Sequence, residues 1–431
     1  MDDRAHEDEN EHVPIDMKKL ADSLSGKLET LPPLSGKCSI YRVAEPRRCS
    51  KPSHYTPQMV SIGPFHHGKE ELKAMEEHKK RYLKCFLQRT KVSMARFLAF
   101  INEREAELRS SYAETIHNLR SDDFVKMVLV DAVFLIEFFL KYYQPNLRTN
   151  EDPIFTKTKL FLVIRYDFWL LENQLPLFIL NDLLNLAKTA TYDDDFYREI
   201  SLPTITISWF WGDLLPFLPI EEELFENHFS KAAHFLDLLI LCLQQSQLRA
   251  PIQLKYLNVP GAKELHQAGV KFKAGSSQNL LDIKFEKGIF KIPFIPVYEK
   301  TELLYRNLLA FEWLHDYTPY FNDHIIMNGL LITAPKDAEL LFQSDTIFGD
   351  SELVPTIFGN LSKDCTLVFD GFLYSGLLAD LYIYRKSPWH KWKATLKQNY
   401  FNTPWATISV IAAVILLLLT VTQTVCSLVA L

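Results

Sequence analysis

From Gln398 to Leu431 no side chain carries a charge. A stretch like this sets the terms for everything before it, because a bilayer core of ~30 Å takes about 20 helical residues to cross. The run VIAAVILLLL fills positions 410–419, and beyond Thr407 and Ser409 at the start, threonine, glutamine and serine return only after Leu419. Thr403 can cap such a helix and Pro404 can occupy its first position, where no amide donor is needed. Trp389, Trp392, Tyr400, Phe401 and Trp405 cluster at the entry, as interfacial aromatics do. A transmembrane helix is therefore expected over 404–425, followed by a short tail at 426–431. A buried helix of a soluble core is seldom this long, uncharged and terminal.

Flanking charge predicts the orientation. Arg385, Lys386, Lys391, Lys393 and Lys397 precede the span and nothing basic follows it, so the positive-inside rule places the large N-terminal domain in the cytosol. The sequence thus reads as a single-pass protein of the plasma membrane or an endomembrane, inserted after translation. Residues 385–403, with Lys391, Trp392, Lys393 and Lys397 leading to Trp405, form the expected membrane interface. Two other apolar stretches fail as spans. Phe124–Leu140 carries Lys126, Asp131 and Glu137, each costing roughly 2.5–3.5 kcal/mol at a helix centre in lipid. Leu160–Leu186 is interrupted by Arg165, Asp167, Glu172 and Pro176.

The rest of the 431 residues has the composition of a globular chain with a sizeable core. Its net charge of −6 argues against nucleic-acid binding, which needs a basic excess to displace phosphate counterions. Only 14 glycines are present, few for a chain that would cradle phosphates in backbone loops. The six cysteines are scattered without a C-x-x-C pair, so no metal knuckle is indicated. A Cys38–Cys49 bridge is open to the chain only if the domain faces an oxidising compartment. The first sixteen residues hold seven acids against Arg4 and no apolar run, which predicts a disordered acidic tail over 1–16 and no signal peptide.

Between tail and span, residues 17–384 read as one mostly helical domain. A short amphipathic helix over 17–30 ends at Pro32-Pro33, and 38–64 reads as extended chain and turns. A long helix is expected from Glu70 to about Arg109, with buried helices near 121–143 and 157–188. Residues 192–222 read as loop, 223–248 as helix. The alternation in GVKFKAG, LLDIKF and GIFKIP predicts a β-hairpin within 268–293 that turns at Glu286-Lys287-Gly288. Helices follow at about 301–317, 322–343 and 362–401. The fold class is α+β, predominantly α-helical: a large helical domain with a small β-hairpin insertion and one C-terminal transmembrane helix.

Two constellations could carry chemistry. His66-His67 with Glu76-Glu77-His78 offers zinc donors, but adjacent histidines do not readily aim at one ion. The competing reading puts His66 and His67 in hydrogen bonds at a Gly63-Pro64 turn and Glu76 and Glu77 in a helical first turn, favoured by the dipole. In LLENQLPLF, Glu172-Asn173-Gln174 interrupts an apolar run, and Pro176 disrupts the backbone bonding around it. Glu172 could pair with Arg165 or Arg81, or form an acid/base pair with Asp131 or Asp167. No GxSxG elbow, P-loop or dinucleotide fingerprint occurs. Asn360-Leu361-Ser362 is a sequon only for an extracytoplasmic domain, and Ser409 with Ala413 could let two anchors pack as a homodimer.

Several blocks together resemble one family. IYRV at 40–43, YTPQMVSIGPFHHG at 55–68, MEEHKKRYL at 75–83, LLENQLPLFIL at 170–180 and LHQAGVKFK at 265–273 come first. LLDIKF, RNLLAFE at 306–312 and WHKWKATLKQNYFNTPWA at 389–406 complete the series. In that order, over about 38–425, the chain resembles the plant family of domain of unknown function 247. The resemblance implies a C-terminal membrane segment and brings no established enzymatic activity with it. Function is accordingly expected to be that of a membrane-tethered, non-catalytic interaction or signalling scaffold for protein partners. No catalytic residue, metal or cofactor is assigned. The polar cluster worth locating is His66, His67, Glu77, Asp131, Arg165, Glu172 and Asn173. The rival reading is a membrane-associated hydrolase that uses Glu172 with Asp131 or His66.

Overall fold

The computed structural model describes residues 16–29, 36, 38–190, 199–209, 222–244, 259–277, 279–315, 317–386 and 404–429. Thus the acidic tail, most of the WFWGDLLPFLP patch and residues 387–403, including Lys391, Trp392, Lys393 and Lys397, lie outside the described residues. Within them the protein is predominantly helical, with two small sheets and one long apolar C-terminal helix.

Helix α1 (Met17–Glu29) is exposed along its length, including its apolar residues Met17, Leu20, Leu24 and Leu28. Helix α2 (Glu45–Ser50) follows an extended start, and the chain then runs to α3 (Lys73–Thr90) with only single 3-10 turns at Pro52–His54 and Glu70–Leu72. The long helix expected over 70–109 is in fact three: α3, α4 (Met94–Asn102) and α5 (Glu105–Ser110). Lys91 adopts a left-handed conformation (φ 57°) and its amide returns to the Leu87 carbonyl, which closes α3. Ser93 then opens α4 by accepting the Arg96 amide on Oγ. Neither stop signal is a glycine or proline, so composition alone reads through them.

Helix α6 (Ser121–Tyr143) is the axis of the N-terminal half and is buried on nearly every side. Helices α3, α4, α9 (Leu177–Ala190) and α10 (Leu202–Trp209) pack around it, with short α7 (Pro153–Thr156) and α8 (Thr158–Asp167) nearby. Its face meets an aromatic cluster: Phe138 lies 5.0 Å from Phe168, and Trp169 stacks on Trp209 at 4.8 Å. Aromatic plates of this size contribute both area and oriented ring contacts. The charges that disqualified α6 as a span are matched inside the fold, since Glu137 pairs with Arg89 and Asp131 with Lys79. The helix expected over 157–188 breaks between α8 and α9 at the ENQLP stretch. The loop expected over 192–222 contains α10.

The C-terminal half begins with α11 (Glu222–Lys231) and α12 (Phe235–Leu243), separated where one helix was expected. After α13 (Ala262–Gln267) come β1 (Lys271–Ala274), β2 (Lys284–Glu286) and β3 (Ile289–Ile292). Strands β2 and β3 form the expected hairpin. Lys287 (φ 49°) and Gly288 (φ 81°) supply the positive angles that a tight two-residue turn requires. Strand β1 joins β3 in parallel, completing a three-stranded sheet. Strand β4 (Ile295–Pro296) pairs in parallel with a later β5 (Ile347–Phe348), a contact too short to leave a sequence pattern. Helices α14 (Thr301–Leu314), α15 (Tyr320–Leu331), α16 (Pro335–Gln343) and α17 (Leu353–Ser362) make the second helical group. Asp337 caps α16 by accepting the Thr333 and Ala334 amides, which divides the helix expected over 322–343. Helix α18 (Ser375–Lys386) occupies part of 362–401, and α19 (Pro404–Val429) is last. Cys38 and Cys49 are free thiols, as are the other four cysteines.

The left-handed Lys91 generates a prediction. A non-glycine residue there carries about 1–2 kcal/mol of backbone strain that glycine does not. Lys91→Gly should raise the midpoint of thermal unfolding, and a midpoint below wild type would show that the Lys91 side chain contributes more than its backbone costs.

Candidate functional site

From exposed Gln58 the segment 58–63 runs into the interior with no strand paired to it among the described residues, so its buried amides need side-chain partners. Asp167, at the end of α8, accepts three in succession: Gln58 at 2.9 Å, Met59 at 2.7 Å and Val60 at 2.9 Å. Asn173 continues the pattern. Its Oδ1 accepts the Ile62 amide at 2.7 Å, while its Nδ2 donates to the carbonyls of Val60 and Asp167. Asp131 of α6 accepts the Gly63 amide at 2.9 Å and is paired with Lys79 Nζ at 2.6 Å. Lys79 is itself fully buried and also reaches Glu76. Gly63 has φ +75°, and a Cβ there would stand 2.6 Å from the Gln174 carbonyl oxygen. Only glycine fits.

The kink at 168–176 is held in the same manner. Gln174 Nε2 donates to the Phe168 and Leu170 carbonyls, and the Gln174 carbonyl accepts from the Tyr112 hydroxyl at 3.1 Å. Asn307 of α14 accepts the Leu171 amide at 2.9 Å and donates to the His54 carbonyl. These bonds answer the free backbone groups around Pro176, as buried polar groups require.

Glu172 is completely buried. Its Oε1 accepts the Val43 amide at 2.8 Å and a hydrogen bond from the Arg48 guanidinium. Its Oε2 lies 3.3 Å from His66 Nε2 and 3.7 Å from Arg42. The partners expected from sequence are elsewhere: Arg165 lies over the Tyr166 ring, and Arg81 faces His78. Burial alone would raise the Glu172 carboxyl, but His66, Arg48 and the Val43 amide outweigh it and hold the carboxyl below its ordinary range. Burial depresses His66, with Glu172 only partly offsetting it, which favours the neutral ring near pH 7. Asp167 is pushed up to about 6 by burial, against its three amide bonds. Burial also raises Asp131, opposed first by Lys79.

The seven residues singled out from sequence therefore separate into groups. Asp131, Glu172, Asn173 and His66 join one buried network. Arg165 lies over the Tyr166 ring, and Glu77 is exposed and paired with Lys80 at 3.1 Å. His67 is half-buried beside His66. No group of three or more His, Cys, Asp or Glu residues suited to a metal ion occurs among the described residues. Nor do the carboxylates share one another's protons: Glu172, Asp131 and Asp167 each have their own amides or cations. Arg48, Lys79 and Asn307 were not foreseen as members. The signal available for them was their place in or beside the blocks at 40–43, 75–83 and 306–312, which meet here with 55–68 and 170–180.

Removing one partner of a buried ion pair costs about 3–5 kcal/mol, and Arg48 keeps a fifth of its side chain in water. Glu172→Ala should therefore lower stability near the bottom of that range, about 3 kcal/mol, in denaturant unfolding of the detergent-solubilised chain. A variant as stable as wild type would contradict a structural role and point to a carboxylate kept for chemistry.

Comparison with known proteins agrees with this assembly of blocks. A family model described as "Plant protein of unknown function" matches residues 40–419. The UPF0481 protein At3g47200 of Arabidopsis thaliana is 28% identical over 421 residues, covering 90% of this chain and 85% of its own length. A second Arabidopsis thaliana protein, Putative UPF0481 protein At3g02645, is 23% identical, with 88% of each chain covered. No solved structure matches significantly. With its model spanning the interior network and most of the apolar C-terminal helix, the chain belongs to the plant family of domain of unknown function 247.

Proposed function

We propose that the protein is a membrane-tethered interaction or signalling scaffold, anchored by α19 with its large domain in the cytosol. One observation carries the tether. Thr407–Leu428 is long and apolar enough to cross a bilayer, and none of it is buried against the rest of the fold. Leu416, Leu417, Leu418 and Leu419 are each at least 60% exposed. A contiguous apolar surface of that size needs a cover, and lipid supplies one along the full length and circumference of a helix. The threonines at its C-terminal end return their hydroxyls to carbonyls one turn back, as Thr420 does to Leu416 and Thr422 to Leu418. That pattern reduces the cost of carrying polar groups into hydrocarbon.

The non-catalytic part of the reading rests on the interior network. Asp131 and Asp167 are spent on amides and a cation that the fold itself needs, Glu172 gives its Oε1 to the Val43 amide and Arg48, and all three are shielded from solvent. A general acid or base has to reach a substrate proton within hydrogen-bond distance.

Two experiments test the tether. A chain truncated at Thr403 should move from the carbonate-resistant membrane pellet to the soluble fraction; its retention would overturn the single anchor. With intact microsomes whose cytosolic face is outward, added protease should digest the large domain. Protection of the domain, or glycosylation at Asn360, would overturn the orientation.

A further inference from the structure

The three-stranded sheet has two unlike faces. Phe272, Phe290 and Phe285 stand in cross-strand register and point inward, with ring centroids 5.5 and 5.9 Å apart. One residue further along each strand the chain presents lysine. Lys273 is opposite Lys291, and Lys291 is opposite Lys284, so three like charges form one row across all three strands. Lys271 and the turn residue Lys287 add two more exposed amines. Against these five lysines, residues 271–291 hold two carboxylates, Asp282 and Glu286, in a chain whose net charge is −6. Asp282 pairs with Lys284 at 2.7 Å and Glu286 with Lys291 at 3.0 Å. A basic excess remains.

Like charges directly opposite each other weaken a sheet. Lysines on edge strands can be explained as guards against unwanted strand pairing, but Lys291 lies on β3, the central strand, where no edge needs guarding. Position in the chain supplies the missing reason. Helix α18 packs on this sheet, with the Tyr384 ring edge-on to Phe285 at 5.5 Å and occupying the space that a side chain at Gly288 would take. The last turn of α18 carries Arg385 and Lys386. Only residues 387–403 separate it from the first residue of α19, a leash of at most roughly 60 Å when fully extended. A surface held that close to a bilayer needs little further attraction to dock on it.

We propose that the outer, lysine-bearing face of this sheet docks on the anionic lipid headgroups of the leaflet from which α19 enters the membrane. The inference rests on the anchor and orientation proposed above, since the cytosolic leaflet is the one rich in anionic lipid. Docking fixes how the large domain stands on the membrane and which of its other surfaces face the cytosol. Each lysine brought to an anionic surface strengthens the contact about fivefold.

The test uses the full-length chain in lipid nanodiscs, one set of phosphatidylcholine alone and one with phosphatidylserine as the minor component. Amine labelling is followed by mass spectrometry. Labelling of Lys271, Lys273 and Lys287 should slow about fivefold or more when phosphatidylserine is present, while exposed Lys126 on α6 keeps its rate. High salt should abolish the difference, because attraction between exposed charges is screened. The variant carrying Lys273→Glu, Lys284→Glu and Lys291→Glu should stay in the discs yet show no protection at Lys271 and Lys287. Equal labelling of the wild-type sheet in both discs would overturn the docking face and leave the anchor standing. Protein that fails to remain in either disc would overturn the anchor and this inference with it.

Discussion

A segment buried without a neighbouring strand is expensive unless its amides find acceptors, and residues 60–63, entered through the bend at Gln58 and Met59, are such a segment. Sheets solve this with backbone carbonyls. Here the acceptors are side-chain oxygens delivered from separate elements: Asp167 from the end of α8, Asn173 from the kink and Asp131 from the middle of α6. Three consecutive amides on one carboxylate, followed by a side-chain amide and a second carboxylate, fix the segment's path almost residue by residue. The helices must then sit where their oxygens can reach, so the packing of α6 against α8 and α9 is tied to the course of a strand-like chain that belongs to no sheet. Such directional demands contribute little net stability per bond. They do discriminate sharply against alternative packings of an aromatic-rich core, which hydrophobic contact alone would tolerate.

The kink between α8 and α9 follows from the same demand. A continuous helix through 168–176 would use its carbonyls internally and leave Asn173 and Gln174 without a role. Pro176 prevents that continuity, and the polar side chains then span both sides of the break. Glu172 is placed by this kink at the point where the extended IYRV segment, α2 and the His66 turn converge. A buried carboxylate with a guanidinium, an amide and an imidazole around it looks like chemistry in a sequence. In three dimensions it is a joint that closes the N-terminal segment onto the core.

Much of this architecture can be read from the sequence, and the parts that cannot share a cause. The long apolar C-terminal helix, α6 and the β-hairpin are legible because their signal is local: an uncharged run, a long apolar helix, an alternation ending in Lys287-Gly288. The division of 70–109 is not, because Lys91 enters a left-handed conformation that its side chain does not announce. The division of 322–343 is announced only by Pro335, which opens α16 at its first turn, while the cap comes from Asp337 because Ala334 occupies the capping position. Of the site, Glu172, Asn173 and Asp131 stand out as polar residues in apolar surroundings. Arg48 and Lys79 do not, since each sits in a stretch already full of charge and only the tertiary fold shows which lysine or arginine turns inward. The pairing of Glu172 with Arg48 in place of Arg165 is of this kind: proximity in sequence says little when the partners are more than a hundred residues apart.

Charge is sorted along the chain, and the sorting bears on the scaffold role proposed above. Acids are dense before residue 17, and the buried carboxylates of the fold are matched by buried or half-buried cations or by backbone amides. Lysine in excess of acid collects on the outer face of the β1–β3 sheet and, by sequence, in the residues that lead to α19. Buried pairs are insulated from salt, whereas the exposed excess is not. The two populations therefore answer to different conditions: the interior network holds its geometry across ionic strengths, while the docking proposed above would change with them. Such an arrangement separates the disposition of the domain from its fold, which suits the scaffold role proposed for it.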